Sequence, residues 1–148
     1  PPGRGRRHNL IVKGQKSVLI DDTYNANLSS MVASLKTLYE IAKSNRKVLF
    51  FGEMSELGIF SDDLHKKLYD YLISFNISVI IFVGNKTKSL YKLCNKRIEC
   101  LWSKNIDSLS KEEMFNLIKP KDFILVKGSR NMNMEIIVKY LLDNFKGK

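Results

Sequence analysis

Residues 61–84 read SDDLHKKLYDYLISFNISVIIFVG, and two hydrophobic periods meet inside that stretch. In its first half Leu64, Leu68, Tyr71, Leu72 and Phe75 recur at helical spacing and gather on one face, with Ser61 placed to open the helix. In its second half Ile77 to Val83 are almost continuously apolar and largely β-branched, the composition of a strand covered on both faces, and Gly84 ends the run. An amphipathic helix leading into a doubly covered strand is half of a crossover unit, the repeating piece of a parallel sheet.

The same alternation continues outward in both directions. Upstream, Lys47 to Phe51 reads as a buried strand, and Leu28 to Lys43 as a helix in which Met31, Leu35, Leu38 and Ile41 form the apolar stripe and Asn27 or Ser29 caps the exposed amides. Before that helix, extended segments at Asn9 to Val12 and Ser17 to Asp21 flank Lys13-Gly14-Gln15-Lys16, a hairpin turn. Downstream, a weaker helix near Thr87 to Cys94 precedes a strand at Ile98 to Trp102. Ser110-Lys111-Glu112-Glu113 has the spacing of a capping box for a helix carrying Met114, Leu117 and Ile118, closed by Pro120. Asp122 to Val126 is the last strand and Met134 to Phe145 the last helix. The pattern predicts an α/β fold, Rossmann-like, with a mostly parallel sheet of about six strands flanked by helices on both faces, and residues 1–148 forming one domain.

Composition supports that size of core: 148 residues at 44% hydrophobic content suit one compact unit. No stretch approaches the roughly 20 apolar residues of a membrane span, and the basic start is not followed by a signal-peptide core, so a cytoplasmic domain with no membrane partner is expected. A net charge of +10 would attract any polyanion. The lysines, however, are scattered from Lys13 to Lys148 and are not gathered into a stripe interleaved with aromatics, which favours solvated faces over a nucleic-acid surface. Cys94 and Cys100 lack CxxC spacing and have no histidine close in sequence, so reduced thiols and no zinc site are expected.

Ligands of such sheets sit outside the carboxyl ends of the parallel strands, which directs attention to four loops: Asp22 to Asn27, Gly52 to Phe60, Gly84 to Lys88 and Lys127 to Asn131. Residues 21–27, DDTYNAN, place carboxylates, a phenol and two amides between a strand and a helix. Asp22 can accept from ribose hydroxyls and an Asn amide can pair with a base edge. Asp and Asn also make turns and cap helices, and on spacing alone the two readings stand level. Gly84-Asn85-Lys86-Thr87 has a GxKT ending but no first glycine at the distance a phosphate loop needs, and reads as a strand-ending turn. His65 has no partner visible in sequence, which favours a structural or interface role over that of a general base. Glu53 and Glu56 take no role from the sequence, and Met31, Met54 and Trp102 read as packing residues.

Taken in order, DDTYNAN at 21–27, GEMSELG at 52–58 and VKGSR at 126–130, together with Gly3-Arg4-Gly5 and Leu64-His65, resemble the C-terminal domain of the Mur ligases, in the branch that adds D-alanyl-D-alanine. Leu28 stands where that family usually has proline, and Glu53 where it has aspartate. The resemblance implies an ATP-dependent amide ligase of peptidoglycan biosynthesis, and hence of cell-wall biogenesis, cell shape and division. A carboxylate of UDP-N-acetylmuramoyl-tripeptide would be phosphorylated and the acyl phosphate attacked by the amine of D-alanyl-D-alanine, phosphate then leaving.

By the same resemblance, Asp22 and Asn25 contact adenosine, Tyr24 and Asn27 shape that loop, and Arg4 or Arg6 reaches ATP phosphate or ribose. Lys127, Gly128, Ser129 and Arg130 receive the dipeptide. The phosphate loop and the Mg2+ ligands belong to a preceding central domain on which this one docks, so no catalytic residue or metal ligand is expected within residues 1–148, and no turnover from them alone. The alternatives are another Mur or folylpolyglutamate-type ligase domain, or a basic nucleic-acid-binding α/β module.

Overall fold

The computed structural model describes residues 2–54 and 62–147. Six strands form one sheet: β1 Arg6–Val12, β2 Gln15–Asp22, β3 Lys47–Gly52, β4 Val79–Val83, β5 Glu99–Ser103 and β6 Phe123–Lys127, in spatial order β1-β2-β6-β3-β4-β5. Only β1 runs antiparallel to its neighbour. Among the described residues there are five α-helices: α1 Leu28–Ala42, α2 Asp62–Ser74, α3 Lys88–Cys94, α4 Lys111–Leu117 and α5 Glu135–Asn144. The predicted α/β architecture is therefore the observed one. Ser61, expected to open α2, lies outside the described residues.

Alternation along the strands divides the core into two layers. Leu49 and Phe51 of β3, Ile80 and Phe82 of β4 and Leu125 of β6 meet α1, α2 and α3 through Met31, Leu35, Leu68, Leu72 and Leu90. Val48, Phe50, Ile81 and Val126 point the other way, onto Met114 of α4 and Ile137 and Leu141 of α5. Every residue of β3 and β4 is buried, because each face of the sheet carries helices.

Where boundaries differ from expectation, polar ladders and helix ends account for it. β1 starts at Arg6, three residues early, because its outer half pairs with β2 from Arg6 opposite Asp21 although its side chains face solvent. The hairpin turn shrinks to Lys13-Gly14, both at positive φ (49° and 79°), the conformation a two-residue hairpin loop demands. Ile77 and Ile98 are apolar but precede their strands: the Ile77 amide donates to Leu72 O and the Ile98 amide to Cys94 O, closing α2 and α3. Asp122 likewise precedes β6, its carboxylate accepting from Arg46 Nε at 3.0 Å and from the Lys119 amide at 2.8 Å.

Asn27, not Ser29, caps α1. Its side chain accepts from the Ser30 amide at 2.9 Å while the Ser30 hydroxyl accepts from the Asn27 amide at 3.0 Å. Ser110 caps α4 by accepting from the Glu113 amide. No helix among the described residues is long and apolar enough to cross a membrane.

Candidate functional site

Because five strands are parallel, Asp22, Gly52, Val83, Ser103 and Lys127 end at one edge of the sheet, and β6, last in the chain, lies between β2 and β3. The register sets Asp22 directly opposite Lys127. Their side chains meet: Lys127 Nζ donates to Asp22 Oδ2 at 2.9 Å and to Asn25 O at 3.1 Å, from a side chain only about 2% exposed. The Ser34 hydroxyl of α1 donates to the same Oδ2. Two loops to which the family resemblance gives different ligands are thus joined by one hydrogen-bond network.

The seven residues 21–27 divide by burial. Asp21 is buried, its Oδ1 accepting from the Thr23 hydroxyl at 2.7 Å and the Thr23 amide at 3.3 Å, so it makes the turn. Thr23 and Ala26 point inward and anchor the loop, and Asn27 is spent on capping. Tyr24, at 40% exposure, and Asn25 face solvent. Asp22 lies between these extremes, with 20% of its side chain exposed and, among the described residues, no hydrogen bond to Oδ1.

The N-terminal segment docks on this loop. Gly3 O accepts from the Tyr24 amide and the Gly5 amide donates to Asp21 O, both at 2.8 Å. Gly3 has φ +75°, and a Cβ there would lie 3.0 Å from Tyr24 N, so the close approach requires glycine. The segment lays the Arg4 guanidinium 3.8 Å from the centroid of the Tyr24 ring, while Arg130 lies over the same ring at 4.7 Å. Of Arg4 and Arg6, only Arg4 stacks on the loop; Arg6 is an exposed residue of β1 opposite Asp21. Neither Arg4 nor Arg130 has a carboxylate partner among the described residues.

Of the four residues 127–130, Arg130 is the one exposed to solvent. Gly128 serves the chain's own packing: a Cβ there would fall 2.7 Å from Met134 Cγ and 3.1 Å from Gly52 Cα. Ser129 is buried, its amide donating to Glu53 O at 2.8 Å and its hydroxyl to Asn131 Oδ1 at 2.7 Å. Glu53, without a role in the sequence reading, bridges the β3 and β4 exits, its Oε1 accepting from the Lys86 amide at 3.0 Å. Gly84-Asn85-Lys86-Thr87 is a turn, as predicted, with the Thr87 hydroxyl donating to Gly84 O at 2.7 Å.

A cleft of about 310 Å3 opens between the β5 and β6 exits, lined in part by Glu53, Lys104, Asp107, Asn131 and Ile136. Sequence reasoning passed over the β5 exit because its residues look like a plain connection to the Ser110 cap. Being the exit of a parallel strand was the signal that could have found it. His65, on α2, is 91% buried, with neither ring nitrogen hydrogen-bonded within the described residues, and it lines a separate cleft with Tyr69, Ser89 and Leu93. Glu56 and the rest of GEMSELG beyond Met54 lie outside the described residues. Both cysteines are free thiols, and burial, with the neighbouring Cys100 acting on Cys94 and Glu99 on Cys100, pushes each up to about 12. No group of three or more His, Cys, Asp or Glu residues able to hold a metal ion occurs among the described residues.

The family described as "Mur ligase, glutamate ligase domain" matches residues 6–130, and the chain belongs to it. The chain is similar to the UDP-N-acetylmuramoyl-tripeptide–D-alanyl-D-alanine ligase of Rickettsia prowazekii, at 36% identity over 138 residues, covering 93% of this chain and 29% of that protein. The ligase of the same name from Buchnera aphidicola subsp. Acyrthosiphon pisum is 34% identical over 143 residues, covering 97% and 30%. Among solved structures, MurF from Acinetobacter baumannii superposes with a TM-score of 0.75 at 28% identity, over 97% of this chain and 31% of that one. MurF from Thermotoga maritima in complex with ADP shares the fold, with a TM-score of 0.68 at 21% identity. The chain spans about three tenths of the length of these relatives.

Proposed function

We propose that this domain is the C-terminal part of an ATP-dependent ligase that joins D-alanyl-D-alanine to UDP-N-acetylmuramoyl-tripeptide, taking the nucleotide at the β2 exit and the dipeptide at the β6 exit. The observation that carries the reading is the pair of arginines, Arg4 and Arg130, brought over one tyrosine at the carboxyl edge of the sheet without a carboxylate partner among the described residues. The reaction gathers anions at one point: the ATP phosphates, the acyl phosphate and the dipeptide carboxylate. Guanidinium suits all of them because its planar fork binds two oxygens at once.

In this reading Asp22 accepts from ribose hydroxyls through Oδ1, Asn25 offers its amide to the adenosine, and Tyr24 and Asn27 give the loop its shape. Arg4 reaches toward ATP phosphate. Arg130 holds the dipeptide carboxylate, with Lys127, Gly128 and Ser129 building the loop behind it. The contribution to rate is placement of the amine beside the acyl carbon. The phosphate loop and the Mg2+ ligands are assigned to a central domain outside this chain, on which the domain docks, and the setting is the cytoplasmic synthesis of cell-wall precursor.

The test is a full-length protein carrying this domain, supplied with ATP, the nucleotide-linked tripeptide and a panel of amino substrates, with release of ADP measured. D-alanyl-D-alanine is the expected substrate. Preference for a single amino acid, or for glutamate on a folate, sinks the assignment in favour of another member of the family.

A further inference from the structure

As a dipeptide contact, Lys127 would have to offer its ammonium at the rim of the sheet. Its side chain is instead about 2% exposed, and two of its three donor directions are filled, by Asp22 Oδ2 at 2.9 Å and Asn25 O at 3.1 Å. We propose that Lys127 is a positioning residue of the nucleotide side, a strut from β6 that fixes Asp22 and Asn25, and that Arg130 alone is the side-chain cation the β6 exit presents to a ligand. This rests on the assignment of the β2 exit to nucleotide given above.

Three observations support the strut. Asp22 Oδ2 receives both Lys127 and the Ser34 hydroxyl, which fixes the rotation of the carboxylate and leaves Oδ1 as its open acceptor. The same ammonium holds the Asn25 carbonyl, so the exposed Asn25 amide is presented from an anchored backbone. Pulling Lys127 away to meet a ligand would strand a buried ammonium from its counter-charge, the costly direction for such a pair. Arg130 carries no comparable tie: it is exposed and rests on the Tyr24 ring.

The experiment is steady-state kinetics on the full-length ligase. Lys127→Met removes the two charge-assisted hydrogen bonds that hold Asp22 and Asn25, and is expected to raise the KM for ATP about tenfold or more and to leave the KM for dipeptide within about twofold. Arg130→Met is expected to do the reverse. Asp22→Asn weakens the Asp22 link from the other end, while the Asn25 link is lost only with Lys127, so the double variant Asp22→Asn/Lys127→Met is expected to fall clearly short of the product of the two single effects.

A dipeptide KM that rises in Lys127→Met while the ATP KM stays put overturns the proposal, and so does simple addition of the two single effects. If thermal unfolding shows Lys127→Met to be poorly folded, Ser34→Ala takes its place. It removes the other donor to Oδ2 and is expected to raise the ATP KM alone, about threefold. An unchanged ATP KM there is equally fatal. Should the wild-type enzyme refuse the dipeptide altogether, the proposed function fails by itself, and the strut is still read from the ATP KM with whichever amine is accepted.

Discussion

Removing either half of the Asp22–Lys127 pair breaks the same bond, yet the residue left behind differs. Asp22→Ala strands an ammonium on a side chain about 2% exposed, whereas Lys127→Met leaves a carboxylate that reaches water and keeps the Ser34 hydroxyl. The first is therefore expected to cost about 3 kcal/mol or more and the second roughly half of that, measured by urea unfolding. Equal losses would mean that burial does not decide the pair's energetics.

The thiols supply a second expectation at this scale. Both are raised from 9.0 to about 12 by burial, so below pH 9 they are neutral in folded and unfolded chains alike. Between pH 9 and 12 the unfolded thiols ionise first, so stability should fall as pH rises through that window. Cys94→Ala/Cys100→Ala should flatten the decline in alkaline melts, and native thiols should label slowly with a thiol reagent until the chain unfolds. The sequence located the polar loop at 21–27 but could not divide its turn-makers from its outward residues, because Asp and Asn do both jobs. The division depends on Thr23, two residues from Asp21, but also on Lys127, 105 residues from Asp22.

At the level of elements, period and capping chemistry carried most of the reading. Residue type and spacing narrow the α1 cap to Asn27 or Ser29, of which the structure selects Asn27, and they point to the Ser110 cap and to the buried β3 and β4. Apolar residues that close a helix, Ile77 and Ile98, were counted into the strands that follow, since periodicity does not register a hydrogen bond back to the helix. Exposed Arg6 and Arg7 in β1 hid three residues of ladder for the opposite reason.

The β4 exit offers the sharpest test of an element boundary. Gly84 has φ +114°, and a Cβ there would fall 2.2 Å from Glu53 Cγ. Gly84→Ala is expected to cost about 2 kcal/mol or more in chemical unfolding, from backbone strain and displacement of Glu53 together. A cost no greater than that of an ordinary surface Gly→Ala change would show that the turn relaxes freely.

For the whole molecule, strand order was the part that sequence withheld. Hydrophobic period reports how many faces of a strand are covered, not which strand lies beside it. The insertion of β6 between β2 and β3 brings residues 21–27 against residues 127–130, and the candidate site exists only because of that crossover. Under the proposed function, residues 1–148 alone should release no ADP from ATP in the presence of dipeptide and tripeptide, while a full-length protein should. Turnover by the isolated domain, above that of a Lys127→Met control, would place phosphoryl chemistry in this chain after all.

Trp102 is the only tryptophan in these 148 residues, and it stands at the rim. Its indole N–H donates to Gly84 O at 3.1 Å, and the Lys88 ammonium lies 4.8 Å from its ring centroid. The turn it reports on is the one that Glu53 grips through the Lys86 amide. The domain therefore carries its own optical gauge: excitation of one indole reads the polarity and tightness of the β4 exit without a label. A shift in its emission when a ligand is added would locate binding at this end of the sheet before any product is measured.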